Sequence, residues 1–298
     1  MQLQPAKPSF TEFIRNLIRD KTFANERFIL DITGSREMAD FRRALTHWTA
    51  NPDPRGNGDI DEFSGDGIIY AIETTWLPQR FPNIYSEKWL TRIKHGLSNK
   101  YALGMFAYDS DFLEYINYGP DAQAELDRDP DPLTNCRVAS MLEDAFEAFV
   151  GCLVKVIDRK YPTGIGYTVV NQFLLSYLNA LDISLDPKKL FDPVTRLKEL
   201  YESKVYQIRW PLKDAYQVIK PPEGGIRVNV YGWPRGDMAP IPRNRTLLAS
   251  VYSEKGDEHG SRHKAADMAL DVLAKRYNIV ENVPNASEIV LKTKWARC

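Results

Sequence analysis

The 298-residue chain is poor in cysteine, with only Cys136, Cys152 and Cys298. They are odd in number and widely spaced, which argues against a disulfide framework and against a zinc site. Cys152 falls in an apolar helical pattern and reads as core. Histidine is also scarce, and His47 and His95 have no ligand partners at metal spacing, so neither is assigned a general-base role. An all-helical phosphohydrolase would want histidine ligands that are absent. No run of about 18 apolar residues exists, so no membrane span is expected. The opening stretch "MQLQPAKPSF" lacks a basic-then-apolar signal pattern, and an intracellular protein, cytoplasmic or nuclear, is expected. There is no internal repeat, so each unit is expected once per chain.

What is present is ordinary for a globular protein: 43% hydrophobic and 27% charged residues, and a length that accommodates two domains. The net charge of −1 hides an asymmetry, because residues 191–298 are net basic and residues 1–190 net acidic. Basic domains often meet polyanions and acidic clusters often hold cations, although such differences between domains are also common.

Apolar spacing of three or four residues predicts helices near 9–20, 35–50, 60–80, 87–108, 136–158 and 166–181. The stretches 51–58 and 119–133, rich in Pro, Gly and Asp, read as loops. After residue 191 the texture changes. "FDPVTRLKELYESK" reads as an amphipathic helix with Leu197, Leu200 and Tyr201 on one face. Short β-rich runs follow at 215–220, 226–233 and 245–253, separated by Pro/Gly-rich turns, and a last helix opens at Ser261.

The most informative stretch is "DIDEFSGDGIIYAIETTW", from Asp59 to Trp76. Asp59, Glu62 and Asp66 stand at i, i+3 and i+7, on one face of a helix. Gly65 and Gly67 interrupt that helix at a cost of roughly 1–2 kcal/mol, which a close backbone approach would offset. In "MLEDAFEAFVGCL", Asp144 and Glu147 repeat the i, i+3 spacing among apolar neighbours. Carboxylates in such settings are costly to bury unless paired or bound to cations. Two acids from each of two helices would offer oxygen ligands to a hard divalent ion. Solvated helix faces, or charges placed near helix dipoles, are the other reading of the same pattern.

"ALTHWTA" (44–50), "DEFSGDGII" (61–69), "RFP" (80–82), "LTRIKHGLSNKYALGMFA" (90–107) and "LEDAFEAFVG" (142–151) resemble, in order and spacing, the ribonuclease III family. The family signature is close to E-x-L-E-F-L-G-D, and Asp59 to Asp66 follow it. Asp61 and Ser64 replace usual leucines, so packing there must differ. The resemblance implies a multidomain fold: an all-α ribonuclease III catalytic domain, then an α+β (α-β-β-β-α) double-stranded-RNA-binding domain. The expected division is an N-terminal extension at 1–30, the catalytic domain at 31–182, a linker at 183–192, the RNA-binding domain at 193–280 and a tail at 281–298.

The resemblance also implies roles. Glu62, Asp66, Asp144 and Glu147 match the metal-site acids, with Mg²⁺ as cofactor and Mn²⁺ as a substitute. Asp59 matches the first signature glutamate and completes the catalytic set. Glu87 stands where the family often has an auxiliary glutamate. Asn99 falls in a polar helix lining the catalytic valley. Phe63 occupies an interface aromatic position, so a homodimer is expected; an ordinary core phenylalanine is the alternative. In the second half, Arg262, His263 and Lys264 open the last helix toward RNA phosphates, with Arg243 and Arg245 as further contacts. Two departures weaken that half: "KPPEGG" lacks the histidine often placed in a minor groove, and Ala266 stands where a basic residue is common. Lys292, Lys294 and Arg297 read as a solvated basic tail.

The implied activity is a metal-dependent endoribonuclease. It would cut double-stranded RNA to 5′-phosphate and 3′-hydroxyl ends with short 3′ overhangs. The alternative is a non-catalytic double-stranded-RNA-binding or ribosomal-type protein on the same fold. Such relatives have typically lost the metal acids, which this chain retains.

Overall fold

A computed structural model describes residues 7–85, 87–183, 185, 192–202, 215–222, 224–232, 245–254 and 256–280. The chain divides into two compact units, with the boundary between Ile183 and Ser184.

The described part of the first unit is helical: α1 (Phe10–Lys21), α2 (Glu26–Ile32), α3 (Ser35–Ala44), α4 (Asp59–Arg80), α5 (Glu87–Leu97), α6 (Lys100–Tyr108), α7 (Pro120–Arg128), α8 (Cys136–Asp158) and α9 (Ile165–Leu178), with a short 3-10 turn at Phe112–Glu114. Helix α8 is apolar over most of its circumference, as a central helix must be. It buries Leu142, Phe146, Phe149 and Leu153. Phe146 and Phe149 pack against Phe173 of α9, with ring centroids 5.9 and 5.3 Å apart, and Phe112 closes on Phe149 edge-on at 5.4 Å. Aromatic pairs in these tilted arrangements add to the area they bury.

The segment expected as an N-terminal extension belongs to this core. Ser9 and Glu12 form a capping box that starts α1. The helix then buries Phe13, Ile14, Leu17 and Ile18, and the Phe13 ring stacks on Tyr115 at 4.0 Å.

Helix boundaries differ from the sequence expectation where polar side chains intervene. The expected helix 87–108 is broken at Asn99, whose Oδ1 accepts from the N–H groups of Tyr101 and Ala102, both at 3.0 Å. It thereby caps α6. The expected helix 35–50 stops at Ala44, and residues 45–58 form a loop tied to residue 117: the Asn117 N–H donates to Leu45 O and the His47 N–H to Asn117 O. The expected loop 119–133 contains α7, entered through Pro120 at a first-turn position.

In the second unit, α10 (Pro193–Glu202) precedes strands β1 (Tyr216–Ile219), β2 (Ile226–Gly232) and β3 (Thr246–Ser253), and α11 (Glu258–Tyr277) follows. The strands form an antiparallel sheet in the order β1-β2-β3, with Val218 opposite Val228 and Val228 opposite Val251. Leu197, Leu200 and Tyr201 of α10, Val228 and Val230 of β2, and Leu270 and Leu273 of α11 share one core. Helix α11 starts one turn earlier than expected. Its cap is Asp257, which accepts from the Gly260 N–H at 3.0 Å, rather than Ser261, which is buried.

Candidate active site

Helices α4 and α8 cross at two glycines. A Cβ on Gly65 would lie 1.8 Å from Glu147 O, and one on Gly151 would lie 2.0 Å from Asp61 O. The two backbones therefore touch, and only glycine permits this. The crossing brings the acidic end of α4 beside the acidic stretch of α8. Gly67 takes no part, since no atom lies within 4 Å of the Cβ it would carry.

The consequence is an acid cluster with linked titration. Burial pushes the Glu62 carboxyl up to about 7, with repulsion from Asp144, Asp59 and Asp66 added. Burial, then Asp66, Glu143, Glu62 and Asp144, push Glu147 to about 9. Burial, then Glu143 and Asp59, raise Asp144 to about 6. Both causes disfavour the charged form. These acids and Asp66 were expected from the sequence, and the structure brings them together. Asp59 joins them at the start of α4. Its carboxylate accepts from the Asn57 side chain at 3.2 Å, and its own N–H donates to Asn57 Oδ1 at 3.0 Å. Glu87 starts α5 and is exposed.

Sequence reasoning missed Glu143. Burial raises it to about 7; Lys100 opposes the shift, and Glu62 and Asp66 add to it. Its i, i+4 relation to Glu147 on the same helix carried the signal, overlooked because the i, i+3 pair Asp144 and Glu147 drew the attention. Asp61, in contrast, is not a site acid. It is 3% exposed and held by Lys155 at 2.6 Å and Arg43 at 2.5 Å. This ion cluster fills the place where a leucine was expected and ties α3, α4 and α8 together. Arg43 also donates to Asn57 O at 3.2 Å, the residue that orients Asp59. A small open pocket adjoins the cluster, and Asp59, Glu62, Asp144, His47 and Trp48 help to line it.

Among the described residues, no three Asp, Glu, His or Cys side chains are grouped so that they could hold a metal ion as they stand. The expected metal acids are thus neighbours without forming a finished cage. The donor chemistry still fits a hard cation, since the set is all carboxylate and is raised first by burial and then by mutual repulsion, both of which a bound cation would offset.

The other expected residues have definite places. Phe63 is 83% exposed, so it is not a core side chain. Ile60 and Tyr70, on the same side of α4, are 61% and 56% exposed. Asn99 is occupied in capping α6. In the second unit Arg262 pairs with Glu258 at 2.8 Å and lies over the Tyr216 ring at 5.3 Å. His263 stands 4.0 Å from Asp192, and burial, then His259, push its pKa down. Lys264 is exposed. Arg245 lies over the Tyr231 ring at 4.1 Å. The Tyr231 hydroxyl donates to Gln217, and Tyr231 packs against the core that holds Val228 and Val230, just after a register shift between Val230 and Tyr231. Arg243 and the tail residues Lys292, Lys294 and Arg297 lie outside the described residues.

No protein-family model matches the chain. A frog virus 3 protein carrying the name ribonuclease 3 is 31% identical over 272 residues, covering 90% of this chain and 64% of its own length. The chain thus spans less than two thirds of that relative. A similarly named protein of invertebrate iridescent virus 6 is 22% identical and covers 93% of this chain and 91% of its own length. Ribonuclease 3 of Methylococcus capsulatus is 31% identical over 173 residues, covering 57% of this chain and 65% of its own length. The solved nuclease domain of ribonuclease III from Campylobacter jejuni matches 58% of this chain with a TM-score of 0.40 at 17% identity. By its sequence relatives, the chain belongs to the ribonuclease III family.

Proposed function

We propose that this protein is an endoribonuclease that cleaves double-stranded RNA, leaving 5′-phosphate and 3′-hydroxyl ends with short 3′ overhangs. The observation that carries the proposal is the glycine crossing of α4 and α8. It places Glu62 and Asp66 beside Asp144 and Glu147 and raises three of these acids by burial and mutual repulsion. A structural protein gains nothing from such a cluster, which costs stability whenever it ionises.

Glu62, Asp66, Asp144 and Glu147 would hold Mg²⁺, with Mn²⁺ as a substitute. When bound, such an ion lowers the pKa of a water ligand and neutralises charge on the scissile phosphate. The chain's own residues supply the frame. Asn57 fixes Asp59 at the cluster edge, and the Arg43–Asp61–Lys155 cluster locks the helices that carry the acids. The exposed Ile60, Phe63 and Tyr70 support a homodimer formed through α4, which would set two sites on one duplex. The second unit is read as a double-stranded-RNA-binding domain. Its helix-three strands-helix order among described elements and the cations opening α11 support this. The test is a gel assay of a long RNA duplex with Mg²⁺, with EDTA, and with Glu147→Gln. Cleavage by the wild type alone and only with Mg²⁺ is expected. Equal cleavage by Glu147→Gln would overturn the assignment.

A further inference from the structure

Trp48 stands out at the wall of the acid pocket. Its side chain is 58% exposed, although the loop that carries it is held from several sides. Thr46 bridges to Asn117, and the His47 N–H donates to Asn117 O at 3.0 Å. The Ala50 N–H returns to His47 O at 2.9 Å, closing a turn around Trp48. Thr49 Oγ1 accepts from the Gly119 N–H at 3.1 Å and contacts His47 Nδ1 at 2.7 Å. The indole leans on the His47 ring, with centroids 5.4 Å apart. Trp48 is thus a large apolar plate on an anchored loop beside Asp59, Glu62 and Asp144. Among the described residues its Nε1–H has no hydrogen-bond partner. Such a residue presents a rigid contact surface with little entropy left to lose.

Resting on the ribonuclease reading above, we infer that Trp48 packs against the ribose next to the scissile phosphate and donates its indole N–H to that sugar's 2′-hydroxyl. It is a specificity-determining residue for RNA over DNA. The ligand chemistry favours this occupant. The major groove of an A-form duplex is too deep and narrow for side chains, whereas the minor groove presents sugars and 2′-hydroxyls. The bases of an intact duplex are stacked and closed to the indole. A ribose offers a C–H face to its flat side and an oxygen acceptor to its only donor.

A substitution cycle between protein and RNA tests the inference. Wild type and Trp48→Phe are each given duplexes carrying a single 2′-deoxy nucleotide at successive positions around the cut. For wild type, one position should lower kcat/KM about fivefold to tenfold, the size of one hydrogen bond. Trp48→Phe should show the same reduction already on all-RNA duplex and no further reduction at that position. Equal sensitivity of the two proteins at every position would overturn the inference and leave Trp48 a structural residue. Trp48→Phe retains the ring and the turn, and a melting curve checks that it folds. The same cycle is also run as duplex binding with Glu147→Gln and Glu147→Gln/Trp48→Phe. If the wild type cuts no RNA, the ribonuclease reading fails by itself, while coupling in the binding cycle still decides for or against the ribose contact.

Discussion

Glu147 and Glu73 show how two buried carboxylates in one helical unit diverge in role. Glu147 shares its surroundings with Asp66, Glu143, Glu62 and Asp144, so its charge is useful only if a cation accompanies it. Glu147→Gln and Asp66→Asn should therefore abolish cleavage while leaving duplex affinity equal or higher, because each removes negative charge near phosphate. Parallel cleavage and filter-binding measurements check this, and weakened binding would count against it. Glu73 is 1% exposed, accepts a hydrogen bond from Ser98, and has an Oε1 with no partner among the described residues. Burial pushes it up to about 7; Ser98 and Lys94 pull it partly back, and Asp66 adds to the rise. The folded state keeps this proton to higher pH than the unfolded chain does. The associated stability is fully present below about pH 4.5 and is lost as pH rises through about 7. Glu73→Gln should remove that pH dependence. Its melting temperature should gain on the wild type from pH 5 to pH 8, by the equivalent of about 3 kcal/mol at most. Parallel pH–melting profiles would contradict the assignment of Glu73.

At the scale of elements, the α4–α8 crossing rests on main-chain contact that no rotamer can relieve. Gly151→Ala would set its Cβ 2.0 Å from Asp61 O, so the helices must part. The expected cost is about 1–3 kcal/mol, with cleavage abolished because the acid pairs separate. Gly67→Ala, in open space, should instead gain about 0.5–1 kcal/mol. Thermal melting of both variants decides, and a stable, active Gly151→Ala would show that the crossing does not build the site. The acids were legible because i, i+3 spacing survives in sequence, and the need for a close approach was legible in Gly65. Asp61 was not, because its partners Arg43 and Lys155 lie on other helices. The break at Asn99 was hidden by apolar periodicity that runs through it, and only the cap reveals it. Helix α7 was hidden by Pro and Asp, which mark helix starts as often as loops. The sheet was read to within a residue or two per strand, since β-branched runs between turns have few alternatives.

For the whole molecule, the exposed strip of Ile60, Phe63 and Tyr70 and the basic second unit each imply a solution property. Phe63→Asp should convert a dimer to a monomer by light scattering at micromolar concentration, and a wild type already monomeric would remove the basis for two sites on one duplex. The division of labour between the units is tested by salt. A chain ending at Ile183 retains its own core and every site acid, so it should still cut duplex RNA at low salt, with weaker binding. Each phosphate that the protein no longer neutralises flattens the slope of log affinity against log salt by up to about 0.9, because fewer counterions are released. Within the second unit, Lys264 is exposed, whereas Arg262 is shared with Glu258 and the Tyr216 ring. Exposed i, i+4 ion pairs are weak, so RNA can take the guanidinium from Glu258 at small cost. Lys264→Ala should therefore flatten the slope by nearly the full amount for a single phosphate, and Arg262→Ala by somewhat less. Arg245→Ala should change the slope least, because its guanidinium is held over the Tyr231 ring at 4.1 Å. If the slope instead responds to Arg245 and ignores Lys264 and Arg262, the duplex lies on the sheet, and α11 is not the element that meets RNA.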